Sequence, residues 1–216
     1  ACEDDVETAT KLHFETTKII SDYLSRNNTR LIYISTDSVF DGEKQGSYSE
    51  SDLIHPLNVY AQTKLMGEVA VKPMDAALVL RINIIGWTEK GKTSFFEWIL
   101  KDLINKIPIN LFHDVYFSPL HVDDLSLIIG EIIDKPIFGL YHCASSNGIS
   151  KYDFGKKIAE VFQLSDLNIN RIGVNSAKFK ASRPKNMTLN VKKISLALKY
   201  ALPKAEDAIE LMKCQY

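Results

Sequence analysis

Leu31–Gly42 reads LIYISTDSVFDG, and His55–Glu68 reads HPLNVYAQTKLMGE. Leu31–Ser35 is a short, solidly apolar run, the kind of strand that a parallel sheet buries on both faces. Thr36 stands at its end, and Asp41-Gly42 signals a turn. Pro56 opens a helix and Pro73 closes it, so a helix is expected from Leu57 to about Val71. Tyr60 and Lys64 then lie one above the other on a single helix face. A free phenol titrates near about 10, and an adjacent ammonium favours the phenolate and lowers that value. The donor then sits nearer the pH at which general acid catalysis works best. A hydroxyl such as Thr36 can hold a substrate oxygen in line. This combination suits a carbonyl that accepts hydride and needs a proton at that moment. The plain alternative is that Tyr60 is a core aromatic and Lys64 its solvated neighbour.

Outward from this stretch the pattern alternates. Val6, Ala9, Leu12, His13, Thr16, Ile19, Ile20, Tyr23 and Leu24 recur at helical spacing, behind acids that suit a helix start. Asn27-Asn28 stops that helix. Further strands are expected at Ala76–Ile85, Ile109–Phe112, Gly139–Ala144 and Ile169–Ile172. Helices are expected at Thr93–Asn105, Val122–Ile133, Lys151–Phe162 and Val191–Leu198, with a last helix after Leu202-Pro203. Strands alternating with helices of this length mean an α/β fold with a mostly parallel sheet.

With 216 residues the chain can bury a full core. A net charge of −1 gives no sign of a nucleic-acid or anionic-membrane partner. No apolar run approaches the ~20 residues of a membrane span. Three cysteines (Cys2, Cys143 and Cys214) without a CxxC pair fit a reducing compartment, so a cytoplasmic protein is expected. The histidines sit in no metal spacing. His121-Val122-Asp123-Asp124 reads as a helix start rather than a ligand set. Cys143 reads as core, and Phe95, Phe96 and Trp98 as packing.

STDSVFDG, YSESD, HPLNVYAQTKLMGE, LRINIIGW, SPLHVDDL, GLYHCASSNGISKYDFGKKIA and ASRPKN occur in this order. Together they resemble the extended short-chain dehydrogenase/reductases, and within them the dTDP-4-dehydrorhamnose reductase family. The resemblance covers nearly the whole chain. It implies a Rossmann-like parallel sheet with a small C-terminal substrate-binding lobe. It also implies residues 1–83 as the remainder of a dinucleotide-binding domain, and 84–216 as the return to the sheet and the lobe. Thr36, Tyr60 and Lys64 become the implied catalytic set, reducing a nucleotide-linked 4-keto-6-deoxy sugar with NADPH or NADH. Ser35, Tyr60, Lys64 and Asn83 are implied near the cofactor. Asp37, Val39, Phe40, Ser118, Pro119 and Arg183 are implied near the substrate. A homodimer is compatible with the resemblance.

The departures from that family bear on the reading. The Gly-rich turn that binds the cofactor pyrophosphate is not found, so the first strands are expected to lie outside this sequence. Ser38 and Ile84 stand where the family carries aromatic residues, and His13 aligns with an asparagine. These leave open a non-catalytic regulatory or binding relative. Gly86–Thr93 also matches GxxxxGK[ST], the phosphate-cradling P-loop, which keeps a nucleotide-binding alternative. In a milder version, Lys92 and Thr93 face a substrate diphosphate. Lys178, Lys180, Arg183 and Lys185 form a basic cluster that suits either solvent or substrate phosphates.

Overall fold

The structure is a computed structural model and describes residues 2–72, 74–89, 91–176 and 184–216. The first helical segment is α1 (Val6–Thr10), capped by Asp5, whose carboxylate accepts from the Thr8 amide. It continues through one wide π-turn at Lys11–Glu15 into α2 (Thr16–Arg26). Asn28 ends the helix with φ of 51°, a conformation asparagine tolerates better than most residues. The apolar residues of this segment largely face outward: Leu12, Ile19 and Tyr23 are exposed, while Thr17 and Ser21 are buried. Small side chains let the helix approach α3 (Val59–Val71) closely, and the Ser21 hydroxyl donates to the Ala70 carbonyl at 3.1 Å.

Between them comes β1 (Leu31–Thr36). It pairs in parallel with β2 (Ala77–Ile82), Leu31 opposite Ala77 and Thr36 opposite Ile82. The expected strand at Ala76–Ile85 breaks at Asn83, after which β3 (Ile84–Ile85) turns to a different partner. The expected helix at Thr93–Asn105 is α4 (Phe95–Ile104), started by a capping box between Ser94 and Glu97. Then follow β4 (Ile109–Phe112), β5 (Tyr116–Phe117), β6 (Leu120–His121) and α5 (Val122–Ile133). His121 is the N-cap of α5, its Nδ1 accepting from the Asp123 amide at 3.1 Å. The chain continues with β7 (Gly139–Cys143), β8 (Ile149–Ser150), α6 (Lys151–Val161) and β9 (Ile169–Ile172). It finishes with β10 (Asn186–Met187), α7 (Lys192–Leu198) and α8 (Ala205–Cys214).

Among the described residues the main sheet runs β1–β2–β7, all parallel. One face, through Tyr33 and Val79, packs on Val71 and Met74 at the C-terminal end of α3. The other, through Leu78 and Leu80, packs on Leu125, Ile128 and Ile132 of α5 and on Ile194 and Leu198 of α7. A second core of Phe96, Ile99, Leu111, Phe117, Phe154, Ile158 and Ile209 gathers residues from the C-terminal part of the chain. Arg30 ties the amino end of β1, donating to the carbonyls of Ile132, Ile133, Lys135 and Ile137 behind α5. No helix of the described residues is long and apolar enough to cross a membrane.

Candidate active site

A cavity of about 300 Å³ opens at the carboxyl ends of β1 and β2, lined by Ser35, Thr36, Asp37, Tyr60, Lys64 and Asn83 among others. Each side chain arrives for a local reason. Thr36 is the last residue of β1, and its hydroxyl accepts from the Ser38 amide, which turns the chain away from the sheet. Tyr60 lies in the first turn of α3, whose N-cap Asn58 accepts from the Ala61 amide at 2.9 Å. Lys64 follows one turn later. Asn83 sits at the break after β2.

The Tyr60 phenol faces the Thr36 hydroxyl, which favours its ionised form. Burial outweighs this and, with the charge of Asp37, pushes the phenol above the ordinary tyrosine range. Lys64 is not among the groups that shift the phenol. The Lys64 ammonium donates to the Ile34 carbonyl at 2.5 Å and lies 4.3 Å over the Tyr33 ring. Burial pushes Lys64 below the ordinary lysine range, and Glu68 one turn further on opposes that. His13, in the π-turn, stands edge-on to Tyr60 at 5.7 Å and shares a 2.8 Å hydrogen bond with Thr63. Burial and the Lys64 charge hold His13 below the ordinary imidazole range.

Asp37 is buried beside the cavity. It accepts from Asn83 Nδ2, from the Thr36 hydroxyl at 3.2 Å and from the Ser38 hydroxyl at 3.2 Å. Burial pushes its carboxyl upward, while these bonds and the charge of Lys151 work against the shift.

Most of the other expected residues lie outside the cavity or outside the described residues. Ser35 lines the cavity, but its hydroxyl donates at 2.5 Å to Glu68. Val39 and Phe40 are fully buried beneath the sheet, Phe40 stacking on Tyr48 at 4.1 Å between ring centres. Ser118 is buried too, its hydroxyl accepting from the Leu189 amide at 3.4 Å, and Pro119 is buried beside it. These four are not brought into the cavity, because the apolar interior claims them first. Arg183, with Lys178 and Lys180, lies outside the described residues. Ile84 does line the cavity.

The P-loop alternative fails on geometry. The helix after Gly86–Thr93 has its N-terminus occupied by its own Glu97. That carboxylate accepts from the Ser94 amide at 2.8 Å and the Thr88 hydroxyl at 2.6 Å. Those bonds hold Glu97 at about 2, so a carboxylate already fills the place a phosphate would need. Lys92 and Thr93 are exposed.

Sequence reading missed the ion pair of Glu68 with Arg81, under 10% exposed on both sides. A signal was present: Arg81 interrupts an apolar strand, and charged residues enter cores only when paired.

The family model described as the RmlD substrate binding domain matches residues 1–216. A dTDP-4-dehydrorhamnose reductase of Aggregatibacter actinomycetemcomitans is 29% identical over 213 residues, 90% of this chain and 70% of that protein. Methionine adenosyltransferase 2 subunit beta of Rattus norvegicus is 34% identical over 172 residues, 76% of this chain and 51% of that protein. The crystal structure of dTDP-4-dehydrorhamnose reductase from Bacillus anthracis in complex with NADP aligns with a TM-score of 0.91 and 23% identity. It covers 100% of this chain and 76% of that one. At that identity the likeness is one of fold, an α/β architecture of the Rossmann type.

Proposed function

The chain belongs to the RmlD substrate binding domain family, and from there we propose that it acts as an NAD(P)H-dependent reductase of a nucleotide-linked 4-keto-6-deoxy sugar. The observation that carries this is the cavity at the ends of β1 and β2, where Thr36, Tyr60 and Lys64 converge. The nicotinamide fits the residues present. The cavity lies where open α/β sheets bind ligands, and Tyr60 and Lys64, side chains that can donate hydrogen bonds to ribose hydroxyls, both line it. Its volume is at the small end for ligand sites, suited to the nicotinamide end of the cofactor.

When bound, the reduced nicotinamide supplies a hydride to the carbonyl carbon. The Thr36 hydroxyl holds the carbonyl oxygen in line. Tyr60 gives its proton to that oxygen as charge develops there, and Lys64 holds the ribose. Asn83 donates to Asp37 at the cavity wall.

The test is turnover of dTDP-4-dehydrorhamnose with NADPH. Tyr60→Phe should lose about 100-fold or more in kcat and still bind cofactor. Undiminished turnover ends this assignment of roles.

A second reading is a non-catalytic subunit. It is favoured by the 34% identity with a protein named as a subunit of a methionine adenosyltransferase, and by the Lys64 ammonium lying on Ile34. Co-purification with a partner enzyme, and no cofactor oxidation on any keto-sugar, would select it.

A further inference from the structure

Tyr60, Lys64 and Glu68 follow one another at intervals of four along α3, so a phenol, an ammonium and a carboxylate form a column on one face. The first two open on the cavity, and the third is buried. The Glu68 carboxylate is held on both oxygens. Arg81 Nε donates to Oε1 at 2.9 Å, and Arg81 Nη2 donates to Oε2 at 2.7 Å. The Ser35 hydroxyl donates to Oε1 at 2.5 Å. Ser35 precedes Thr36 and lies in register with Arg81 across the β1–β2 pair. One carboxylate thus ties together α3, β1 and β2 directly behind the cavity.

A buried ion pair is weak evidence of a need for stability, since a well-packed apolar pair commonly serves as well. An apolar pair could not place a negative charge beneath Lys64. Burial disfavours the Lys64 charge, and Glu68 is the group that opposes this. We propose that Glu68 is a positioning residue: gripped by Arg81 and Ser35, it keeps the Lys64 ammonium seated between the Ile34 carbonyl and the Tyr33 ring. Its consequence for turnover rests on the reductase reading; its effect on Lys64 does not. The other titratable groups around Lys64 are Tyr33 of β1, whose ring it overlies, His13 of the π-turn, whose charge it opposes, and Tyr60 on its own helix, which lines the same cavity. Arg81 of β2 stands behind Glu68.

The test is E68M/R81M, which removes both charges together and leaves neither buried alone. The Lys64 titration is followed by NMR of ¹³C-methylated lysines, with Lys64→Met identifying the resonance. In the double variant Lys64 should titrate at lower pH than in the wild type. Turnover should fall by about tenfold or more, with the alkaline limb of its pH profile displaced in the same direction. A folded E68M/R81M with an unmoved Lys64 titration overturns the proposal, since a merely structural pair would leave it unmoved. If the double variant does not fold, E68Q/R81Q, which also removes both charges and keeps polar side chains in their place, is read in the same way, with the same two outcomes. If the titration moves in a protein that reduces no keto-sugar, the positioning role stands and the reductase reading falls.

Discussion

The Lys64 ammonium donates to the carbonyl of Ile34 at 2.5 Å, a bond from α3 to β1 two residues before Thr36. It seats the lysine beside the cavity. Lys64→Met removes both this bond and the charge available to a cofactor ribose. Steady-state kinetics should show kcat lower by about 100-fold and a higher KM for NADPH. An unchanged KM would take Lys64 out of the cofactor site.

His142 is fully buried in β7, with Nδ1 at 3.0 Å from the Tyr48 carbonyl. Burial, and next the charge of Arg81, push it down to about 3. The folded value lies below the unfolded one of about 6.5. Its contribution is therefore complete above that pH and is lost as pH falls toward 3, because the unfolded chain takes up a proton that the fold refuses. His142→Asn should be less stable than wild type at pH 7. Between pH 6 and pH 4 it should lose less stability, its slope smaller by about one proton or ~1.4 kcal/mol per pH unit. Denaturant midpoints at a series of pH values check this.

Gly67 lies where α3 meets the π-turn. A Cβ there would overlap the Tyr33 hydroxyl and come within 2.5 Å of the His13 carbonyl. An exposed helical glycine gains about 1 kcal/mol on replacement by alanine. Gly67→Ala should have the opposite sign, a loss of ~1–3 kcal/mol from overpacking, read as a lower denaturant midpoint. A stabilised variant would mean that α3 can part from the π-turn and β1 at no cost.

Cys143 is fully buried in β7, and its thiol is pushed up to about 12 by burial. Cys2 is partly exposed and Cys214 exposed. Since the thiolate is the reactive form, a thiol reagent should label Cys2 and Cys214 on the native protein. Cys143 should react only after denaturant is added. Rapid labelling of all three thiols would contradict this burial.

Much of the site was legible because it is local. The Tyr60–Lys64 spacing sets a shared helix face, and an apolar strand ending in Thr36 sets a hydroxyl at a sheet edge. The Ser94–Glu97 capping box was equally local, yet Gly86–Thr93 matched a phosphate loop because a motif records residue types and not the side chain that fills the helix end. Val39, Phe40 and Ser118 were expected near substrate and lie in the interior. Their place depends on the packing of α5, α7 and the residues around Leu189, which their own neighbours in sequence do not encode.

The order of the longer strands and helices, the α/β class and the pairing of Tyr60 with Lys64 on one face were determined by sequence alone, whereas the two-residue strands were not. Periodicity and turn chemistry act within a few residues, and those features need nothing more. Tertiary structure decided that Lys64 bonds to Ile34, that Arg81 meets Glu68 across 13 residues of chain, and that α2 buries Thr17 and Ser21 instead of Ile19 and Tyr23. Each of these is a competition for desolvated space between elements far apart in the chain, and it is resolved only when those elements pack.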